Sequence, residues 1–119
     1  MRHFIRLATL FLVLTFGASA AVAHAFLDHA SPRVGSTVSG SPSEVRLWFT
    51  QALEPRFSGA QLRSSGGAVL GSGVVDSADP KQLVIRVQGL KPGKYHVSWK
   101  VLSVDTHRTE GSFSFEVKP

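Results

Sequence analysis

From residue 45 onward, apolar and polar side chains alternate in short runs. Val45, Leu47 and Phe49 interleave with Arg46, Trp48 and Thr50, and Leu83, Ile85 and Val87 with Val84, Arg86 and Gln88. Tyr95, Val97, Trp99 and Val101 alternate with His96, Ser98, Lys100 and Leu102. Phe113, Phe115 and Val117 alternate with Ser112, Ser114, Glu116 and Lys118. A period of two turns one set toward a core and the other outward, and β-branched and aromatic residues suit such half-buried strands. Weaker runs at 25–29, 59–64 and 68–75 predict three more strands. Ser31-Pro32, Ser41-Pro42, Ser65-Gly66-Gly67, Asp79-Pro80 and Lys91-Pro92-Gly93 supply the turns between strands. Past residue 23 there is no sustained helical period. The pattern predicts an all-β domain of about seven strands: a small Greek-key sandwich or barrel of immunoglobulin-like or cupredoxin-like type. Periodicity does not give the strand order.

The first residues follow a different rule. Arg2 and Arg6 precede an apolar run from Leu7 to Phe16, and no acidic residue occurs before Asp28. Gly17 and a series of small residues then lead to Ala21-Val22-Ala23, an A-x-A cleavage signature. The run is well short of the roughly 20 apolar residues that a membrane-spanning helix needs. Residues 1–23 therefore read as a cleaved secretory signal and 24–119 as one exported domain. Ala18-Ser19-Ala20 and Ala23-His24-Ala25 satisfy the same cleavage rule. Cutting at the first leaves three residues ahead of His24, and cutting at the second discards it.

Cleavage after Ala23 removes 23 of the 119 residues and leaves 96, enough for one small core. It also lowers the basic count from 13 to 11 against 8 acids, a net charge of +3. The remaining cations are scattered singly, which reads as a solvated surface and argues against a nucleic-acid interface. With no cysteine, the domain is held by packing alone and offers no thiolate to a metal or a substrate. Its only methionine, Met1, leaves with the signal.

Cleavage after Ala23 would make His24 the first residue. A terminal histidine offers its α-amine and its ring Nδ1 to one ion in a small chelate. Near the other end lie Asp105 and His107, two apart, so that on an extended strand their side chains point the same way. An amine, two imidazoles and a carboxylate form a nitrogen-rich set. In tetragonal arrangement it favours Cu(II) over zinc, by ligand type and by the Irving–Williams order. The other polar candidates have plainer expectations. His96 falls on the outward face of its strand, and His29 sits just before Ser31-Pro32 at the surface or beside the ligands. Trp48 either covers a site near the sheet end or packs at a sheet edge, and Trp99 belongs to the core. There is no G-x-S-x-G elbow and no phosphate loop.

These residues resemble a known family, the CopC/PcoC-type periplasmic copper-resistance proteins. The likeness spans the mature chain. It rests on His24-Ala25-Phe26-Leu27 with Ser31-Pro32, on Phe49-Thr50 and on Phe57-Ser58-Gly59-Ala60-Gln61-Leu62. Its most specific part is Tyr95-His96-Val97-Ser98-Trp99, followed by Ser103-Val104-Asp105-Thr106-His107. The resemblance implies one Cu(II) per chain, held by the His24 amine and imidazole, the His107 imidazole and the Asp105 carboxylate. Some members carry a glutamate where this chain has Gln51, whose neutral amide is the weaker donor and suits a hydrogen bond to the ligands. Others carry a methionine-rich loop for Cu(I). A mature chain without methionine implies no such site.

The resulting expectation is a monomeric periplasmic protein, not an enzyme, that sequesters Cu(II) or delivers it to a CopD-like inner-membrane transporter. One alternative is a copper oxidase or polysaccharide monooxygenase built on the same terminal histidine. The small chain, and a carboxylate where oxygen activation leaves an open position, argue against that. The other alternative is a metal-free immunoglobulin-like interaction module.

Overall fold

The structure, a computed structural model, describes residues 25–119. Eight strands form: β1 (Leu27–Ser31), β2 (Thr37–Ser39), β3 (Glu44–Phe49), β4 (Gly59–Ser64), β5 (Val69–Val75), β6 (Gln82–Arg86), β7 (Gly93–Leu102) and β8 (Arg108–Lys118). A single 3-10 turn, Pro55–Phe57, precedes β4. All seven strands expected from the sequence are present, and the fold is all-β. The signal segment, the 23/24 boundary and His24 lie outside the described residues.

The eighth strand is β2. Its Thr-Val-Ser sequence has one apolar residue, too little to carry a period, and tertiary contacts supply what the sequence lacks. β2 pairs in parallel with the end of β8, and the amides of Gly35 and Glu116 extend the ladder to Ser114 and Ser36. Val38 packs against the core.

The strands pair in the order β1-β3-β6-β5-β4-β7-β8-β2, antiparallel except for β2 with β8. The chain crosses between the two halves of the sheet after β1, β2, β3 and β6, and β5 joins the halves at one side. The first and last strands of this order, β1 and β2, are neighbours in sequence, so the chain itself spans the remaining side.

Alternation places the core where the sequence put it. Val45, Leu47 and Phe49 of β3, Val97, Trp99 and Val101 of β7 and Phe113, Phe115 and Val117 of β8 all belong to one buried cluster. At about 25 cal/mol per Å² of apolar surface removed from water, such a cluster is the main stabilising term in a chain without disulfides. Trp99 sets its edge against Phe49, with ring centres 5.1 Å apart at 77°. It spreads over the neighbouring strand at Gly111, where an added Cβ would lie 2.6 Å from Trp99 Cζ2.

One outward position differs from expectation. Val84 is buried, flanked in register by Val74 and Arg46. The Arg46 guanidinium donates to Asp76 and Gln82, each at 2.7 Å, and to Glu44 at 3.0 Å. Those bonds hold its aliphatic stem over the sheet face. Trp48 packs at a sheet edge, one of its two expectations, against the edge strand β1. It stacks on His29, with ring centres 4.3 Å apart at 12°, and His29 Nδ1 lies 2.7 Å from the Asp28 carboxylate.

Candidate metal centre

β7 and β8 are joined by a tight turn, and that turn carries Asp105 and His107. It begins at Ser103, which is fully buried and forms an isolated bridge with Leu53. The Ser103 amide donates to the His107 carbonyl at 2.9 Å, and the Thr106 amide donates to the Ser103 carbonyl at 2.8 Å. Thr106 sits at φ 72°, a left-handed conformation unusual for a β-branched residue.

The two side chains therefore converge through a turn, in place of the extended i, i+2 geometry that their spacing suggested. His107 Nδ1 lies 3.3 Å from Asp105 Oδ1, and the His107 amide donates to the same oxygen at 3.4 Å. The buried Ser103 hydroxyl also donates to that oxygen. This hydroxyl is the largest cause holding the Asp105 carboxyl below its ordinary range, with the His107 ring and amide adding to it and partial burial opposing. Both side chains remain open to solvent, His107 at 45% and Asp105 at 38%. The result is an ionised oxygen and an imidazole presented side by side at the mouth of the barrel.

The start of the described chain arrives at the same mouth. Ala25 is fully buried within the core cluster, and its carbonyl accepts a 2.8 Å hydrogen bond from Thr109 Oγ1. Thr109 is two residues past His107. On the other side, the Phe26 amide donates to Thr50 Oγ1 at 3.0 Å and the Thr50 amide returns a 2.9 Å bond to the Phe26 carbonyl. In the sequence, His24 is the residue immediately before this anchored Ala25.

The connector after β3 closes the third side. The Ala52 carbonyl accepts from Val104 at 3.1 Å, and the Glu54 amide donates to Leu102 at 2.8 Å. Gln51 is half-buried between Thr50, which grips the arm, and Ala52, which grips the Asp105 turn. Phe26 and Val104 flank the mouth with exposed apolar side chains, at 53% and 54%.

His29 and His96 do not join the pair: His29 is engaged with Trp48 and Asp28, and His96 Nδ1 is 3.0 Å from Ser114 Oγ on the outer face. Among the described residues no group of three His, Cys, Asp or Glu side chains is placed to hold a metal. Asp105 and His107 supply two donors, and the sequence offers His24 as the source of two more. Sequence reasoning missed Ser103, Thr50 and Thr109. The inward row of β8 gave a signal for the last, since Phe113, Phe115 and Val117 give way to Gly111 and Thr109 toward the mouth.

Residues 27–118 match the CopC domain family. The chain belongs to the CopC family. It is 36% identical over 110 residues to Copper resistance protein C of Escherichia coli, which covers 85% of this chain and 86% of that protein. The crystal structure of CopC from Methylosinus trichosporium OB3b matches with a TM-score of 0.75 at 34% identity, covering 81% of this chain and 95% of that one. PcoC of Escherichia coli, described as a methionine-rich copper resistance protein, matches at 0.71 and 33% identity, covering 81% of this chain and all of that one. This CopC domain departs from PcoC in that respect, since Met1 is its only methionine. The CopC match begins three residues after His24, so Ala25, Phe26 and their hydrogen bonds precede the matched segment.

Proposed function

We propose that this chain is a periplasmic copper-binding protein of copper resistance. It takes one Cu(II) per chain through the His24 amine and imidazole, the His107 imidazole and the Asp105 carboxylate. The observation that carries this reading is the 2.8 Å hydrogen bond from Thr109 to the Ala25 carbonyl, which ties the residue after His24 to the strand that begins just past His107. Cleavage after Ala23 would free the His24 amine, leaving residues 24–119 as the working domain.

The donor set suits the ion. Two imidazoles and an amine are borderline donors that Cu(II) binds strongly, and the carboxylate lowers the charge of the site. The hydroxyl of Ser103 orients the carboxylate, and Gln51 supplies a neutral amide for a hydrogen bond beside the ligands. A mature chain without methionine offers no thioether for Cu(I), so the protein handles the oxidised ion. The exposed Phe26 and Val104 beside the site suit contact with a partner, and we assign delivery to a CopD-like inner-membrane transporter as the onward step. The relatives are named as copper resistance proteins, which favours neither the monooxygenase nor the metal-free module.

Intact mass of the exported protein, read with its copper stoichiometry, tests this directly. A chain starting at His24, one Cu(II) per chain and a tetragonal type-2 EPR spectrum are expected. A blue-copper absorption, or Cu(II) affinity unchanged in both H24A and H107A, overturns the assignment.

A further inference from the structure

We infer that Thr109 is a positioning residue whose hydroxyl holds the N-terminal arm in its metal-ready place before any ion arrives. This rests on the reading of His24 as a ligand. Thr109 occupies the inward row of β8, directly across from Val101 in register, at a place where that row otherwise feeds the core. Instead of packing into the core, its hydroxyl reaches the carbonyl of Ala25, 84 positions earlier in the chain. Ala25 has no exposed surface, so its carbonyl has lost water and needs this donor. Thr50 takes the next amide, that of Phe26, from the opposite side.

Two threonines, one in β8 and one just past β3, thus grip consecutive residues of a segment that would otherwise be a free end. Terminal residues stay loosely ordered unless tied down. A chelate on a loose arm would lose roughly five- to thirtyfold in affinity for each residue that had to be fixed on binding. Thr109 is the one of the two that lies on the side of the proposed ligand turn. Its strand also starts beside His107, so the clasp and one imidazole move as one rigid unit. The residues that follow the proposed terminal chelate are thereby fixed beside His107 and Asp105 by the fold, without help from the ion.

The test uses the mature chain beginning at His24, with T109V, T109S and H24A singly and T109V combined with H24A. Valine keeps the shape and removes the donor, and serine keeps the donor. Cu(II) affinity by competition is expected to fall about five- to tenfold in T109V and to stay within about twofold in T109S. In the H24A background, which keeps the α-amine but loses the chelate ring, T109V is expected to cost less affinity than it does with His24 present. In the metal-free protein, hydrogen exchange at the Phe26 amide is expected to quicken in T109V and not in T109S. Unchanged affinity in T109V, equal losses with and without His24, or unaltered Phe26 exchange overturns the positioning role. Wild-type affinity in H24A overturns the ligand reading instead, and the exchange measurement still decides whether Thr109 holds the arm.

Discussion

The hydroxyl of Ser103, buried at the end of β7, donates to the carboxylate of Asp105 two residues on, and the same serine's amide bonds to the carbonyl of His107. One buried residue therefore orients one proposed ligand by its side chain and fixes the backbone of the other. In S103A the Asp105 carboxyl should titrate higher, because the first cause of its lowered pKa is removed. Cu(II) affinity should fall severalfold. Carboxyl-detected NMR titration and copper competition check the two effects separately.

The pH dependence of binding follows from the same environment. The folded pKa of Asp105 lies below its ordinary value, so its charge, and the stability that its hydrogen bonds contribute, persist above the unfolded pKa and fade only as pH falls through the folded one. Protons should defeat copper earlier, at the nitrogens, since an amine or an imidazole binds the ion only once it has lost its proton. Affinity should therefore fall as pH drops from 8 to 5, by at most about tenfold per unit for each nitrogen that must lose a proton. D105N should weaken binding without altering the position of that decline, as competition titrations across the range would reveal.

Thr106 holds φ 72° in the turn between the two proposed ligands. A side chain in that region costs about 1–2 kcal/mol, and glycine gives back roughly 0.5–1 kcal/mol through its freer unfolded chain. T106G should therefore be neutral to stabilising by about 1 kcal/mol in denaturant unfolding. A clear loss of stability would mean that the threonine contributes contacts beyond its backbone.

Gly111 lies against the ring of Trp99, where a Cβ would approach to 2.6 Å. G111A should destabilise the fold by about 1–3 kcal/mol, the range for overpacking a filled core. Pairing it with W99L should recover part of the loss, because the smaller side chain vacates the contact. Thermal melts of the two single variants and the double variant measure that coupling.

The strands were legible because each pits a continuous apolar row against a polar one, and three weaker runs followed from turn residues. β2 was not legible: one valine between a threonine and a serine has no period, and its pairing with β8 comes from the far end of the chain. Asp105 and His107 were found by residue type, yet the geometry expected of them was wrong, since spacing does not reveal that Thr106 turns left-handed. Val84 was misjudged because its burial depends on neighbours in other strands, Arg46 and Val74. Thr109 and Thr50 escaped notice for the same reason. A hydroxyl in an alternating strand looks like any polar residue until the carbonyl it serves is seen.

β1 and β2 end the sheet order on opposite sides, yet only residues 32–36 separate them along the chain. A barrel whose two outermost strands are stitched by the backbone cannot unpeel from one rim while the other stays unaware. Fraying at either rim tugs on the strand that lines the other. Exported domains of this size often obtain such a hoop from a disulfide. Here a five-residue seam of ordinary peptide bonds serves instead, leaving the wall of the barrel free of sulfur chemistry in the presence of a redox-active metal.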